Sequence, residues 1–392
     1  MASTIPRRYE GAVTSLRHPR EATPRPAAAA GDRAAVMLLL PVAMLLIVGL
    51  GAVLSASSVV AIREGVDHLF YFKRQIVWIV AGLGLLVAAS RIPYRMYARF
   101  AVPILVVAIA GLVATLALGD VRGGSRRWIE VGPVTIQASE LAKFAVVVFL
   151  ARAFTTKEAY LHRFAHFFWP VAICLGSVGV LLLAEPDLGT TILIAAAAFA
   201  VLGASKAPVS HVVFLGALAA GAVTLLAFAQ PYRKARIVSF LDPLADPLGN
   251  GLQAVQSLVA LETGGWFGVG LGASRARWSF LPNAHTDFIF SIIGEEIGLA
   301  GALVVVALFV GFGVIGLVIA YRAADGFGRL LAVGLVAWLT FQALINIGGV
   351  AVVLPITGVP LPFISSGGSA MLANLFAVGV LVNIARTGKA HR

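Results

Sequence analysis

Ten long apolar segments, separated by short polar stretches, follow one another between residues 34 and 384 of the chain. Each approaches the roughly 20 apolar residues that an α-helix needs to cross a bilayer. The pattern predicts an all-α, polytopic integral membrane protein with about ten transmembrane helices. The predicted spans are residues 34–55, 75–90, 100–118, 136–151, 167–184, 188–203, 212–229, 288–321, 330–354 and 370–384.

The polar stretches divide the chain into a membrane domain and two tails. Residues 1–33 carry six arginines and four prolines and are predicted to be a disordered cytoplasmic tail. Residues 34–386 form the predicted transmembrane domain, and residues 387–392 form a short cytoplasmic tail. The one large loop, residues 230–285, joins the seventh and eighth spans, and function is expected to concentrate there.

Two features are predicted within this loop. Residues 251–261 have apolar positions at helical spacing, which indicates an interfacial helix. Residues 264–272 are rich in glycine and include Trp266 and Phe267, two residue types that favour the membrane interface. This second stretch is predicted to be a flexible turn that touches the bilayer.

The distribution of Lys and Arg predicts the orientation, because the cytoplasmic flanks of spanning helices are enriched in these cations. An N-terminus inside the cell places 18 of the 30 Lys and Arg on the cytoplasmic side and 11 on the outer side. Both termini are then cytoplasmic, and residues 230–285 form an extracytoplasmic loop. The basic outer loops suit an anionic substrate.

Composition agrees with a membrane protein and excludes several other classes. Hydrophobic residues make up 59% of the chain and charged residues only 12%, which is far from a soluble domain. The net charge of +12 does not indicate nucleic-acid binding, because the basic residues flank apolar segments. There is no P-loop, GxGxxG, HExxH or paired CxxC motif, which argues against nucleotide-driven transport. Cys174 is the single cysteine, so no internal disulfide is possible.

Ionisable residues in or beside the spans are candidates for function, because an unpaired charge in hydrocarbon is costly. Glu140 and Lys143 are three residues apart on one helix face and form either an internal ion pair or a substrate contact. Arg126 and Arg127 stand in an outer loop beside Trp128. They are either interfacial anchors or a clamp for a diphosphate.

Two aspartates stand immediately before apolar runs. Asp187, in Glu185-Pro186-Asp187, has the position of a helix N-cap, and Asp287 has the same position before the eighth span. Glu295 and Glu296 follow Asp287 by about two helical turns. Residue types alone do not raise Asp287 above a capping role.

A longer motif surrounds Asp287. Residues 281–298, which read LPNAHTDFIFSIIGEEIG, resemble the signature of the SEDS family, which comprises FtsW, RodA and SpoVE proteins. Other family motifs follow the expected order: SRRWI at 125–129, QASELAK at 137–143, EPDLGT at 185–190, DP at 242–243 and 246–247, QS at 256–257, and LPITGVPLPFIS at 354–365. The segment 268–275 and Ala284 are more similar to the FtsW branch than to RodA. The chain departs from the family pattern at Ser366, where Tyr is usual, and at Glu185, where Gln is common.

The resemblance implies a peptidoglycan glycosyltransferase that polymerises lipid II, an undecaprenyl-diphosphate-linked disaccharide-peptide, into glycan strands on the outer membrane face during cell division. Asp287 is then the catalytic general base that accepts the proton of the attacking hydroxyl. Arg126, Arg127, Lys143 or a divalent cation such as Mg²⁺ or Mn²⁺ would stabilise the leaving diphosphate. Apart from this divalent cation, the sequence indicates no cofactor. The substrate-binding residues expected from the resemblance are Arg126, Arg127, Glu140, Lys143, Asp187, Gln256, Ser257, His285 and Glu296.

The resemblance also leaves other functions open. A lipid II flippase would line its pathway with charged residues in the spans, and a divisome scaffold or an elongation polymerase of the RodA type is a further alternative. The expected partners are a class B penicillin-binding protein transpeptidase and other divisome membrane proteins. The expected location is the bacterial cytoplasmic membrane at the division septum.

Overall fold

The computed structural model describes residues 26–122, 125–132, 134–228, 231–276 and 285–388. This part of the chain is mainly helical. The helices are α1 (Pro26–Arg63), α2 (Phe70–Arg91), α3 (Arg95–Arg99), α4 (Ala101–Leu118), α5 (Ala138–Thr156), α6 (Phe164–Ala184), α7 (Leu188–Ala204), α8 (Val209–Phe228), α9 (Pro231–Leu241), α10 (Leu252–Gly264), α11 (Ile289–Tyr321), α12 (Gly326–Val350) and α13 (Gly368–Thr387).

Each of the ten predicted spans coincides with a helix of the described chain. Eight of the described helices are long and apolar enough to cross a membrane, which confirms a polytopic membrane protein. The other two are α7, with 17 residues, and α5, with 19 residues and a charged pair in its interior. At 1.5 Å per residue both still reach about 25 to 29 Å, close to the thickness of the hydrocarbon core.

Helix boundaries differ from the prediction mainly at the N-terminus. Helix α1 begins at Pro26, within the segment expected to be a disordered tail. The alanine-rich residues 26–30 extend the helix because alanine has the highest helix propensity. Residues 1–25 and 389–392, which include most of the two predicted tails, lie outside the described residues, as do residues 277–284 of the large loop.

A small β-sheet joins α4 to α5, where only a polar loop was expected. Strands β1 (Asp120–Arg122), β2 (Ser125–Val131) and β3 (Val134–Ile136) form an antiparallel sheet in the order β1-β2-β3. The sheet satisfies backbone groups that a loop at the membrane surface would leave without partners. Its middle strand contains the arginine pair, so neighbouring arginines point to opposite faces.

Helix α11 is interrupted at Gly298, whose φ of 77° only glycine adopts easily. The interruption leaves backbone groups without helical partners, and the segment 265–270 supplies them. Val269 and Gly270 donate N–H groups to the carbonyls of Glu295 and Glu296 at 3.0 and 3.1 Å. In the opposite direction, the N–H groups of residues 299 and 300 donate to the carbonyls of residues 265 and 266 at 2.8 and 3.1 Å.

This docking corrects the prediction of a flexible turn at residues 264–272. The Glu295 carboxylate holds the end of the segment by accepting from the Ser274 hydroxyl at 2.5 Å and the Arg275 N–H at 2.9 Å. Trp266 and Phe267 remain 68% and 86% exposed, in agreement with contact to the bilayer. The segment is therefore a fixed brace on α11 that carries exposed aromatic side chains.

The predicted helix in the large loop is present as α10. Its buried side packs against α11 and α12. The fully buried Ser257 hydroxyl lies 2.8 Å from the Ser291 hydroxyl and donates to the Val350 carbonyl at 2.6 Å. Leu258 and Val259 lie on the outer side and are 40% and 48% exposed.

Several helix ends that bear the family motifs meet at one end of the bundle. Helices α4 and α5 are joined there by the sheet, and α6 and α7 by Glu185-Pro186-Asp187. The start of α11 and the end of α12 lie at the same end. Residues far apart in the sequence thus surround Asp287.

Candidate functional site

Asp287 lies immediately before α11 and is held through its backbone. The Asn346 amide donates to the Asp287 carbonyl at 2.7 Å and to the Val359 carbonyl at 2.8 Å. The Ser365 hydroxyl donates to the neighbouring Thr286 carbonyl at 2.6 Å. Because these partners come from α12 and from the segment after it, the position of the aspartate is set by long-range contacts.

His285, which precedes Thr286 and Asp287, is also held through its backbone carbonyl. The Ser366 N–H donates to the His285 carbonyl at 3.2 Å. The His285 ring lies 5.3 Å, centroid to centroid, from the ring of Tyr71 on α2. Its Nδ1 is buried without a hydrogen-bond partner among the described residues, and burial lowers the pKa of His285. This contact uses the backbone N–H of Ser366, so it does not depend on the serine side chain.

Asp287 does not cap α11. The N-cap residue is Phe288, which makes no side-chain capping hydrogen bond. The capping alternative for Asp287 is therefore wrong, and its carboxylate instead forms a hydrogen bond with the Thr286 side chain. Gly358, with a φ of 71°, passes close to it: a Cβ at that position would lie 3.4 Å from Asp287 Oδ2.

Burial and nearby charges shift the pKa of Asp287 in opposite directions. Burial raises the pKa of Asp287 to about 6, the nearby guanidinium groups of Arg236 and Arg127 lower it, and the Asp187 carboxylate raises it. A carboxyl group with this pKa is mostly ionised at neutral pH yet is a better proton acceptor than an ordinary aspartate. The site therefore suits general-base chemistry.

The structure separates the two arginines of the predicted clamp. Arg127 reaches the α6–α7 connection, where it donates to the carbonyls of Glu185 and Pro186 and lies 3.9 Å from Asp187 Oδ1. Arg126, on the other face of the strand, is exposed and donates to the Leu116 carbonyl at 3.3 Å. Only Arg127 is brought to the Asp287 site.

Asp187 caps α7, as its position in the sequence predicted. Its carboxylate accepts from the Thr190 N–H at 3.1 Å and from the Thr190 hydroxyl at 2.8 Å. The side chain is buried, and Arg127 provides the nearby positive charge. The capping prediction is confirmed, and the role of Asp187 toward substrate remains a prediction.

Glu185 is buried beside this cap, and one of its carboxyl oxygens has no hydrogen-bond partner among the described residues. Burial and the Asp187 charge raise the pKa of Glu185 to about 8, against the opposing effect of Arg127. At neutral pH the side chain is thus mainly a neutral acid, with the shape and hydrogen-bonding groups of an amide. A neutral Glu185 can therefore occupy a position where the family motif commonly has Gln.

We therefore expect Glu185→Gln to fold normally and to be more stable than the unchanged protein at alkaline pH. The folded-state pKa of this acid is raised, so ionisation costs stability as pH rises from the unfolded value of about 4.3 to about 8. Thermal unfolding in detergent from pH 5 to 9 measures this. The stability difference should widen with pH and then level off above pH 8; a constant difference would show that Glu185 is ionised throughout.

Arg236, on α9, is a site residue that the sequence did not single out. With Arg127 it borders an apolar cavity of about 280 Å³ whose walls include Leu188, Ile192 and Leu354. Arg236 also donates to the Ile356 carbonyl at 3.3 Å. The cavity thus combines an apolar interior with two guanidinium groups at its border.

Two further cavities adjoin this one. A small cavity of about 10 Å³ lies at Asp287 and shares Ile345, Ile356 and Thr357 with the apolar cavity. A second, of about 310 Å³, shares Arg236 and Ile356 with it. This larger cavity is lined by groups of the large loop between α8 and α11: Ser239, Phe240, Asn250 and Gln253.

Glu140 and Lys143 form a buried ion pair on α5, facing α12. The Lys143 ammonium lies 2.7 Å from each Glu140 carboxylate oxygen and donates to Gln342 Oε1 at 3.1 Å. It also lies 5.0 Å from the centroid of the Trp338 ring. The internal-pair alternative is confirmed. Glu140 additionally borders a mainly apolar groove of about 410 Å³ between α2, α5 and α13.

The remaining predicted site residues have mostly structural surroundings. Ser257 is engaged with α11 and α12, and Gln256 is partly buried on the same helix. Glu296 is buried and accepts a hydrogen bond from the Ser55 hydroxyl on α1. Their roles toward substrate remain predictions. In α10 it is Gln253, one turn before Gln256, that lines a cavity.

The predicted divalent cation is not supported by a ligand cluster. Among the described residues, no three His, Cys, Asp or Glu side chains are grouped so that they could hold a metal ion. The cations next to Asp287 are Arg127 and Arg236. The metal therefore stays a prediction, and the chemistry below uses the side chains alone.

Comparison with known proteins identifies the family. The model of a cell cycle protein family that comprises FtsW, RodA and SpoVE matches residues 36–390. Stage V sporulation protein E of Bacillus subtilis is 37% identical, with 90% of this chain and 96% of that protein covered. A probable peptidoglycan glycosyltransferase FtsW of Coxiella burnetii is 39% identical, with 87% and 93% covered.

Solved structures agree in fold. One is a chain from a structure that describes polymerization and crosslinking by a peptidoglycan synthase complex. It superposes with a TM-score of 0.74 at 28% identity, and the match covers 89% of this chain and 96% of that one. The rod shape determining protein RodA of Thermus thermophilus gives a TM-score of 0.67, at 25% identity, with 90% and 97% covered. The chain therefore belongs to the FtsW/RodA/SpoVE family, the SEDS family of the sequence analysis.

Proposed function

We propose that this protein is a peptidoglycan glycosyltransferase that polymerises lipid II into glycan strands. The names of its FtsW relatives support this activity. The observation that carries it is the position of Asp287: a partly buried carboxylate, not used as a helix cap, that adjoins an apolar cavity bordered by two arginines. An isoprenoid diphosphate has the matching distribution of apolar chain and negative charge.

The reaction follows from these groups. Asp287 accepts the proton of the acceptor sugar hydroxyl while the hydroxyl oxygen forms a bond to the anomeric carbon of the donor. The bond between that carbon and the diphosphate oxygen breaks, and the electron pair leaves with the diphosphate. Arg127 and Arg236 stabilise the negative charge on the leaving group through their guanidinium groups. Asp287 then loses the proton to water.

The three adjoining cavities suggest how a lipid-linked donor would lie. Its isoprenoid chain would occupy the apolar cavity of about 280 Å³ and its diphosphate would lie between Arg127 and Arg236. Its sugars would enter the cavity of about 310 Å³, where Phe240, Asn250 and Gln253 offer an aromatic face and amide groups. Amide and aromatic side chains are suited to hydrogen-bond and stack on sugars.

Purified full-length protein and labelled lipid II test this activity directly. Formation of glycan polymers, alone or with a partner transpeptidase, is the expected result. The alternative is a lipid II flippase, for which the buried charges of α5 could line a pathway. Protein that moves lipid II across liposomes and never polymerises it, with or without the partner, would establish that alternative instead.

We expect the pH dependence of polymerisation to follow the ionisation of Asp287. A general base is active when deprotonated, so kcat/KM should rise tenfold per pH unit below the Asp287 pKa of about 6 and level off above it. Steady-state rates between pH 5 and 8 measure this. The Glu185→Gln variant should show the same fall in rate at acid pH. A fall that shifts in this variant would show that it reports the ionisation of Glu185 and not of Asp287.

The cellular role proposed is septal wall synthesis with a class B penicillin-binding protein and other divisome membrane proteins. The resemblance of segment 268–275 to the FtsW branch and the match to a peptidoglycan synthase complex support it. An elongation polymerase of the RodA type is the alternative within the family. Co-purification from native membranes should recover a transpeptidase, and its identity would separate a division role from an elongation role.

We also propose that both termini are cytoplasmic and that the loop containing α9 and α10 faces the cell exterior, with the transmembrane domain spanning residues 34–386. Single cysteines at Leu248 and Arg322, in a Cys174→Ser background, test this. Both positions are exposed, and Leu248 is 86% exposed. In intact cells an impermeant thiol reagent should label position 248 and spare position 322. The reverse pattern would invert the topology.

A further inference from the structure

A groove of about 300 Å³ lies between α4, α5 and α6 at the end of the bundle opposite Asp287. Its walls come from the beginning of α4, the end of α5 and the first half of α6, whereas Asp287 lies near the other ends of these helices. Val102, Phe149 and Ile173 make the walls apolar, and Trp169 stands at the side. The groove is separate from the cavities proposed for substrate.

Two cations, Arg152 and Lys157, stand in this groove without a carboxylate partner among the described residues. Arg152 is partly buried and donates to the Ala98 carbonyl. The adjacent Glu158 is already paired with Lys206. Cations that border an apolar groove and lack an internal counterion attract an external anion.

The surroundings of the groove are those of a lipid-facing surface. Trp169 and Ile173, on the spanning helix α6, are 60% and 61% exposed. Tryptophan favours the boundary between headgroups and acyl chains. An occupant with a negative headgroup and an apolar chain would place its charge near Arg152 and Lys157 and its chain along Phe149 and Ile173.

We propose that this groove binds an anionic phospholipid of the leaflet opposite the Asp287 site. The phosphate and the negative headgroup contact Arg152 and Lys157, and one acyl chain lies in the apolar part of the groove. A zwitterionic phospholipid has the same acyl chains but no net charge. The groove therefore selects phospholipids by headgroup charge.

Quenching of Trp169 fluorescence by brominated lipids tests the proposal with the full-length protein in vesicles. Phosphatidylcholine vesicles contain equal small fractions of brominated phosphatidylglycerol in one series and brominated phosphatidylcholine in the other. The Trp169→Phe variant, measured in parallel, identifies the share of the signal that Trp169 contributes among the six tryptophans. We expect stronger quenching by the anionic lipid.

Lys157→Gln should lower this preference by about fivefold, the factor that corresponds to about 1 kcal/mol for one basic side chain near an anionic lipid. Lys157→Arg should retain it. Arg322→Gln is the matched control, because it removes an exposed cation at the same end of the bundle, outside the groove. Equal quenching by the two lipids, or an equal loss in Arg322→Gln, would overturn the proposal in favour of general surface attraction.

Discussion

Asp287→Asn should make almost no glycan while remaining folded. Loss of a general base costs about 10² to 10⁴ in rate. The amide keeps the size of the side chain, and the contacts that hold the segment run through the backbone carbonyls of Asp287 and Thr286, which the substitution leaves in place. The carboxylate caps no helix, and an amide oxygen can still accept the hydrogen bond from the Thr286 side chain, so we expect little loss of stability. Polymerisation of labelled lipid II in detergent gives the rate, and thermal unfolding gives the stability.

Glu262→Gln is the matched control for this variant. Glu262 is an exposed carboxylate on α10, outside the cavities around Asp287. The Glu262→Gln variant should polymerise lipid II at the same rate as the unchanged protein. An Asp287→Asn protein with near-normal activity would exclude Asp287 as the base, and one that fails to fold would show that the carboxylate has a structural role that its hydrogen bonds do not reveal.

Lys143→Met should destabilise the protein by about 3 to 5 kcal/mol, because it leaves the Glu140 carboxylate buried without its cation. Both side chains are almost fully buried, at 3% and 5% exposure. The substitution also removes the donor to Gln342 Oε1 and the cation over the Trp338 ring. Thermal unfolding in detergent measures the loss.

The double variant Glu140→Gln with Lys143→Met separates a structural pair from a substrate contact. With both charges removed, most of the lost stability should return, because no unpaired charge remains in the bundle. If activity also returns, the pair serves α5 and α12 only. If stability returns and activity does not, one of the two side chains contacts substrate. Glu140 is placed to do so, because it borders the groove of about 410 Å³.

Particular residues show where sequence reasoning about the site succeeded. Asp187 follows a spanning segment and precedes another, and it caps α7 as predicted. Glu140 and Lys143, three residues apart, form the ion pair that was one of their two predicted alternatives. These contacts join residues within one helical turn, so spacing brings them within reach of each other.

Other contacts join distant parts of the chain, and the sequence did not reveal them. Asn346 and Ser365 hold the Asp287 segment from 59 and 79 residues away along the chain. Arg236 had no motif or periodicity to mark it, although its position in the large loop was a weak signal. The sequence predicts a loop around Arg126 and Arg127, so it does not show that strand alternation in β2 places them on opposite faces.

The sequence by itself determined the ten apolar helices, the family and the choice of Asp287, because hydropathy over one span and short motifs are local properties. The tertiary structure alone decided that Arg127 and Arg236 share a cavity, that residues 265–270 brace α11 at Gly298, and that Asp287 caps nothing. Each of these depends on which helix ends come together. That arrangement follows from packing of the whole bundle, which no single stretch of the sequence encodes.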